Sequence, residues 1–67
     1  MQINNIKELG ELIKTTRKSQ GLTQKDLALV ANVGVRLIIE MERGERNVNI
    51  GTVIKVCSML GLNINIE

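Results

Sequence analysis

The spacing of apolar and polar positions divides the chain into four helical stretches and an alternating tail. Ile6, Leu9, Ile13 and Thr16 recur every three or four residues and make one face of a first helix, which Leu12 widens. Leu27, Ala28 and Ala31 form the inner face of a short second helix, and Ile38 and Met41 that of a third. Val53, Ile54, Cys57 and Leu60 repeat the pattern in a fourth. After Gly61 the period changes. Leu62, Ile64 and Ile66 alternate with Asn63 and Asn65, which is a strand pattern over about 62–66. Met1-Gln2-Ile3-Asn4 alternates too weakly to separate a short strand from a tail.

The residues between these stretches supply starts and stops. Asn5 caps the first helix, with Glu8 at the capping-box position, and Gly21 ends it while Leu22 folds back. Thr23 caps the second helix, and Asp26 places a carboxylate at its positive end. Asn32 suits the left-handed conformation that ends a helix, Val33 plugs the turn, and Gly34 opens a third helix from Val35 to Glu42. Arg43-Gly44 closes it. A loop through Glu45, Arg46, Asn47 and Val48 leads to Asn49, the cap of a fourth helix from Ile50 to about Leu60. Ala28 is small where two steeply crossing helices would touch. Gly10 costs its helix up to about 1 kcal/mol against Ala, which close approach of a neighbouring helix would explain.

Composition narrows the function. A chain of 67 residues makes one domain, 1–67, with a small core that is marginal alone, so association of subunits would help. There is no aromatic residue, so the core is aliphatic and stacking-based binding of single strands or RNA is disfavoured. There is no His, Cys57 falls on an apolar helix face, and no glycine-rich phosphate loop is present. The chain therefore reads as no enzyme, with no metal and no cofactor. The single Cys, the lack of an apolar leader and the lack of a membrane-length apolar run point to the cytoplasm and away from membranes. The net charge of +2 is compatible with nucleic acid without requiring it.

Taken together, Leu22-Thr23-Gln24-x-x-Leu27-Ala28, Ala31-x-Val33 and Ile38-x-x-x-Glu42-Arg43-Gly44 resemble the Cro/cI-type (Xre) helix-turn-helix. The resemblance runs from about Leu9 to Gly61, with the motif at about 23–42. It implies an all-α, compact four-helix, lambda-repressor-like domain. The terminal strand departs from plain phage-repressor domains, which continue with a fifth helix. The resemblance also implies that Arg17, near the end of the first helix, pairs with Glu42 at the end of the third. It assigns Thr23 and Gln24 to a DNA phosphate at the start of the second helix.

In such docking the third helix enters the major groove and its first turns face the bases. Those positions are Gly34, Val35, Arg36, Ile39 and Glu40. The Arg36 fork fits the O6 and N7 acceptors of guanine, and Val35 suits a thymine methyl. Glu40 either accepts from a cytosine amino group or holds Arg36 one turn away. Ile39 has no evident role. Arg43, Arg46 and Asn47 would touch the flanking backbone. Lys14, Lys18 and Lys55 read as solvated surface.

The expected function is a homodimeric repressor of double-stranded DNA. Leu62, Ile64 and Ile66 would pair antiparallel with their copies about a two-fold axis, or else the fourth helix would form the interface. Reading helices about 34 Å apart would then face an inverted-repeat operator. The short chain, the terminal strand and Gly34-Val35-Arg36-Leu37 are most similar to HipB-like antitoxin regulators. That resemblance implies autoregulation of an operon and a kinase-like toxin partner. Two alternatives stay open. One is a phage-type repressor without a toxin. The other is a protein-interaction module that uses Leu29, Val30, Leu37 and Ile39 as its surface, whose binding, unlike that to DNA, would not weaken steeply with salt.

Overall fold

A computed structural model describes residues 5–45 and 48–63. Among them lie four α-helices: α1 (Ile6–Ser19), α2 (Gln24–Ala31), α3 (Val35–Arg43) and α4 (Ile50–Met59). No strand is formed among the described residues. Both α1 and α2 pack against α3, and α4 packs against α2.

The helix starts follow from their caps. Asn5 Oδ1 accepts from the Glu8 N–H at 2.9 Å, but the Glu8 carboxylate accepts from the Asn5 side-chain amide at 3.2 Å, so this cap joins two side chains. In α2 the box is reciprocal through the backbone. The Asp26 N–H donates to Thr23 Oγ1 at 3.0 Å, and the Thr23 N–H donates to Asp26 Oδ2 at 2.9 Å. The backbone donor of Thr23, and then its hydroxyl, hold the Asp26 carboxyl below the usual carboxylate range. Asn49 Oδ1 accepts from the Thr52 N–H at 3.2 Å and starts α4.

All four helices end in one way. A left-handed residue follows the last turn, and the next N–H reaches back five residues to a carbonyl. These bonds run from Leu22 to Arg17, Val33 to Ala28, Glu45 to Glu40 and Leu62 to Cys57, at 2.8–3.1 Å. Asn32, at φ 57, is the one left-handed residue among the four that is not glycine, which its short polar side chain permits. Leu22, Val33 and Leu62 then tuck against the core.

That placement bears on the expected terminal strand. Leu62 closes α4 and packs on its own core, in no strand. A residue that bonds back to a helix carbonyl is not free to pair edge to edge there. Ile64 and Ile66 lie outside the described residues, as do Met1–Asn4.

Ile13, Leu27, Ile38, Met41, Val53, Val56 and Cys57 are fully buried and make a core without aromatics. Burial pushes the Cys57 thiol up. Ile54, expected on the inner face of α4, is 43% exposed, and Val56 is buried instead. Packing on α2 turns the helix so that Val53, Val56, Cys57 and Leu60 face inward.

The crossing of α1 with α3 explains Gly10. A Cβ there would strike the carbonyl oxygen of Met41 and lie 2.9 Å from that of Glu42. Gly44 is the reverse contact: at φ +75, a Cβ on it would stand 2.9 Å from Lys7 Cα. The backbone of each helix rests on the other at these two points.

Candidate nucleic-acid interface

The turn between α2 and α3 is short, and two of its N–H groups bond back to α2. The Asn32 N–H donates to Leu29 O at 3.2 Å, and the Val33 N–H to Ala28 O at 2.9 Å. Gly34, in extended backbone at φ −72, carries the chain into α3. The Leu37 N–H then donates to Gly34 O at 3.1 Å, which fixes the first turn.

The helix so placed has two faces. Ile38, Met41 and Glu42 are buried, and Leu37 packs partly against the core. Val35, Arg36 and Arg43 are exposed, with Ile39 and Glu40 half-buried beside them. The Arg36 side chain is 90% exposed, and its Nε lies 3.8 Å from Glu40 Oε2 one turn later. That is a loose surface pair, worth a few tenths of a kcal/mol, and it leaves the guanidinium free to turn outward. Arg43 Nη1 stands 4.0 Å from Glu45 Oε2, again at the surface. Arg46 and Asn47 lie outside the described residues.

Behind this face, Glu42 is the centre of a buried network. Arg17 donates to it twice, from Nε to Oε2 at 2.6 Å and from Nη2 to Oε1 at 3.0 Å. The third nitrogen, Nη1, donates to Leu22 O at 2.7 Å. Gln24 Nε2 also donates to Glu42 Oε1, at 3.2 Å. The end of α1, the start of α2 and the end of α3 thus meet on one carboxylate, and the loop after α1 joins them through the Arg17 guanidinium. Charge-assisted, two-pronged contacts of this kind are the strong ones. Among the described residues no buried side-chain polar atom lacks a partner.

The sequence reading placed Arg17 and Glu42 but not the other two members. Gln24 lies 18 residues before Glu42, and no periodic signal spans that distance. Thr23 is exposed at the mouth of α2, where its hydroxyl and N–H are engaged by Asp26. Gln24 lines an open cavity together with Ile39 and Arg43 of α3. Besides Val35 on the outward face of α3, the exposed large apolar side chains are elsewhere: Leu29 and Val30 on α2, and Ile50, Ile54 and Met59 on α4.

Among the described residues no helix is long and apolar enough to cross a membrane, and none of their His, Cys, Asp or Glu side chains cluster to hold a metal ion.

Comparison with known proteins agrees with this geometry. The Helix-turn-helix family matches residues 13–66. The uncharacterized HTH-type transcriptional regulator y4mF of Sinorhizobium fredii is 42% identical over 59 residues, spanning 88% of this chain and 78% of that protein. Among solved structures, a chain of the HipA-HipB-O2-O3 complex superposes with a TM-score of 0.87 at 24% identity, covering 98% of this chain and 93% of that one. The restriction-modification controller protein C.AhdI of Aeromonas hydrophila gives 0.76 at 26% identity, over 87% and 88% of the two chains. The chain belongs to the helix-turn-helix family and has the DNA-binding fold of the transcriptional regulators it matches.

Proposed function

We propose that this helix-turn-helix protein is a sequence-specific repressor that binds double-stranded DNA in the cytoplasm through α3 and regulates its own operon. The whole chain, 1–67, serves as one binding module. The observation that carries this reading is the division of α3: one face is locked through Glu42, and the other presents Arg36 almost wholly to solvent. Arg36 reads a guanine, Val35 meets a thymine methyl, and Glu40 accepts from a cytosine amino group or steadies Arg36. Gly34 allows the start of α3 to approach the groove closely. Thr23, Gln24, Arg43, Arg46 and Asn47 border the phosphates. A mobility-shift assay comparing the chain's own upstream region with mixed-sequence DNA tests the proposal. Equal affinity for both would remove sequence-specific repression.

The working form is a homodimer on an inverted repeat. Two interfaces are in play, the segment through Ile64 and Ile66 and the side of α4 that exposes Ile50 and Ile54. Because Leu62 belongs to the core, a chain cut after Asn63 separates them. It falls to a monomer in sedimentation if the terminal segment pairs, and stays a dimer if α4 does.

The antitoxin role is supported by the likeness to HipB. That role requires a surface for a kinase-like toxin in addition to the DNA-binding face. Leu29 and Val30, 76% and 56% exposed on α2, favour such a surface. Changing both to Ser should leave DNA affinity intact and abolish neutralisation of a toxin encoded beside the gene. Unchanged neutralisation would place the partner contact elsewhere.

A further inference from the structure

We infer that the notch between α1, α2 and α3 seats a phosphodiester of the DNA backbone, and that Lys14 is its principal cationic contact. This rests on the DNA-binding reading above and adds to it a residue and a site. The notch is an open cavity of about 340 Å³ lined by Lys14, Gln24, Ile39, Glu42 and Arg43. That is roughly ten times the share of liquid volume of one water molecule, room for a phosphodiester and the sugar beside it.

Its charge is set by which lining groups are already matched. Glu42 is answered by both prongs of Arg17 and by Gln24, so it does not repel an anion as a bare carboxylate would. Arg43 is held only loosely, 4.0 Å from Glu45. Lys14 is exposed on the flank of α1 that faces α3. Two cations therefore border a cavity whose one carboxylate is neutralised. Ile39 supplies an apolar wall, which suits the ring of a deoxyribose and gives this half-buried side chain a role.

The notch is continuous with the outward face of α3 through Ile39 and Arg43, so a ligand lying along that face passes over it. A duplex does this, and its backbone brings one phosphate to each such point. Lys14 is a positioning contact in this scheme: it fixes the register of the duplex and reads no base.

Fluorescence anisotropy with a labelled mixed-sequence DNA duplex, measured over a series of salt concentrations, tests the assignment. Lys14→Gln should weaken binding by the same factor on every sequence and lower the slope of log affinity against log salt by about 0.9, the loss of one phosphate contact. Lys14→Arg should keep the wild-type slope. Lys55→Gln on α4 should also keep it, which separates a local contact from a general loss of charge. A Lys14→Gln slope equal to that of wild type overturns the inference while leaving the DNA-binding reading in place. Absence of salt-sensitive binding by the wild-type chain to any duplex overturns both.

Discussion

Removing the Arg17 side-chain charge is the most informative single perturbation of the scaffold. Arg17→Met keeps much of the apolar stem and deletes the donors at 2.6 and 3.0 Å to Glu42 and at 2.7 Å to Leu22 O. The Glu42 side chain, only 4% exposed, is left with Gln24 as its remaining partner. Stranding a buried charge in this way costs about 3–5 kcal/mol. A domain of 67 residues has a total stability of about 3–10 kcal/mol at the usual value per residue. The variant should therefore lose from a third to all of it. With a urea slope of about 1 kcal/mol per molar for so small a protein, the midpoint should fall by about 3 M or leave the measurable range. Lys14→Met, at an exposed position, should stay within about 0.5 kcal/mol of wild type. The double variant Arg17→Met with Glu42→Leu should recover much of the loss, because no charge is then left unpaired. Urea unfolding followed by circular dichroism reads all three. Equal midpoints for Arg17→Met and Lys14→Met, or a double variant no more stable than Arg17→Met, would refute the reasoning.

Other expectations follow from the same geometry. Gly10→Ala gains up to about 1 kcal/mol in helix propensity, yet its Cβ meets the Met41 and Glu42 carbonyls, so a net loss of about 1–3 kcal/mol is expected; a thermal midpoint at or above wild type would show that α1 and α3 separate without penalty. Arg36→Ala should cost about 1–3 kcal/mol on the specific site and relax one base position, and equal losses on all single-base operator variants would reduce Arg36 to a phosphate contact. Asp26 is ionised more readily folded than unfolded, so its contribution is complete above about pH 4, the ordinary aspartate range, and is lost as pH falls through the lower folded value. Asp26→Asn should flatten that part of the stability profile, and an unchanged acid limb would exclude the Thr23–Asp26 box as its source. Cys57 is buried and its thiol is pushed up, so native alkylation should be slow and should accelerate in urea.

The helix ends were legible in the sequence because their chemistry is local. Gly21, Asn32, Gly44 and Gly61 each announce a left-handed turn, and each of the four is one. The face of α1 was legible because polar residues interrupt it, and those of α2 and α3 because Leu27, Ala28 and Ala31, and Ile38 and Met41, keep helical spacing within their apolar runs. In α4 Lys55 alone separates two apolar pairs, Val53-Ile54 and Val56-Cys57, so periodicity could not choose between Ile54 and Val56, and the contact with α2 decided. Leu62 was misplaced for a similar reason. An apolar residue after a terminal glycine fits a helix closure and the first position of a strand equally well. The Arg17–Glu42 pair came from the family resemblance, but the donation of Gln24 to Glu42 and that of Arg17 to Leu22 O depend on long-range packing, which spacing does not encode. The same is true of Lys14: its charge was plain, but its neighbours appear only once α1 lies across α3.

The contact at Gly10 is made to the backbone of α3, to the carbonyls of Met41 and Glu42, and the side chains that anchor this helix are Ile38, Met41 and Glu42. None of these is among Val35, Arg36, Ile39, Glu40 and Arg43, which form its outward face. The two sets can vary independently. Substitutions on the outward set alter what the surface meets without touching what holds the helix, so descendants of one scaffold can diverge in preference while inheriting one shape. Transplanting the outward residues of a relative onto this chain should move its preference with them and leave its unfolding midpoint where it was.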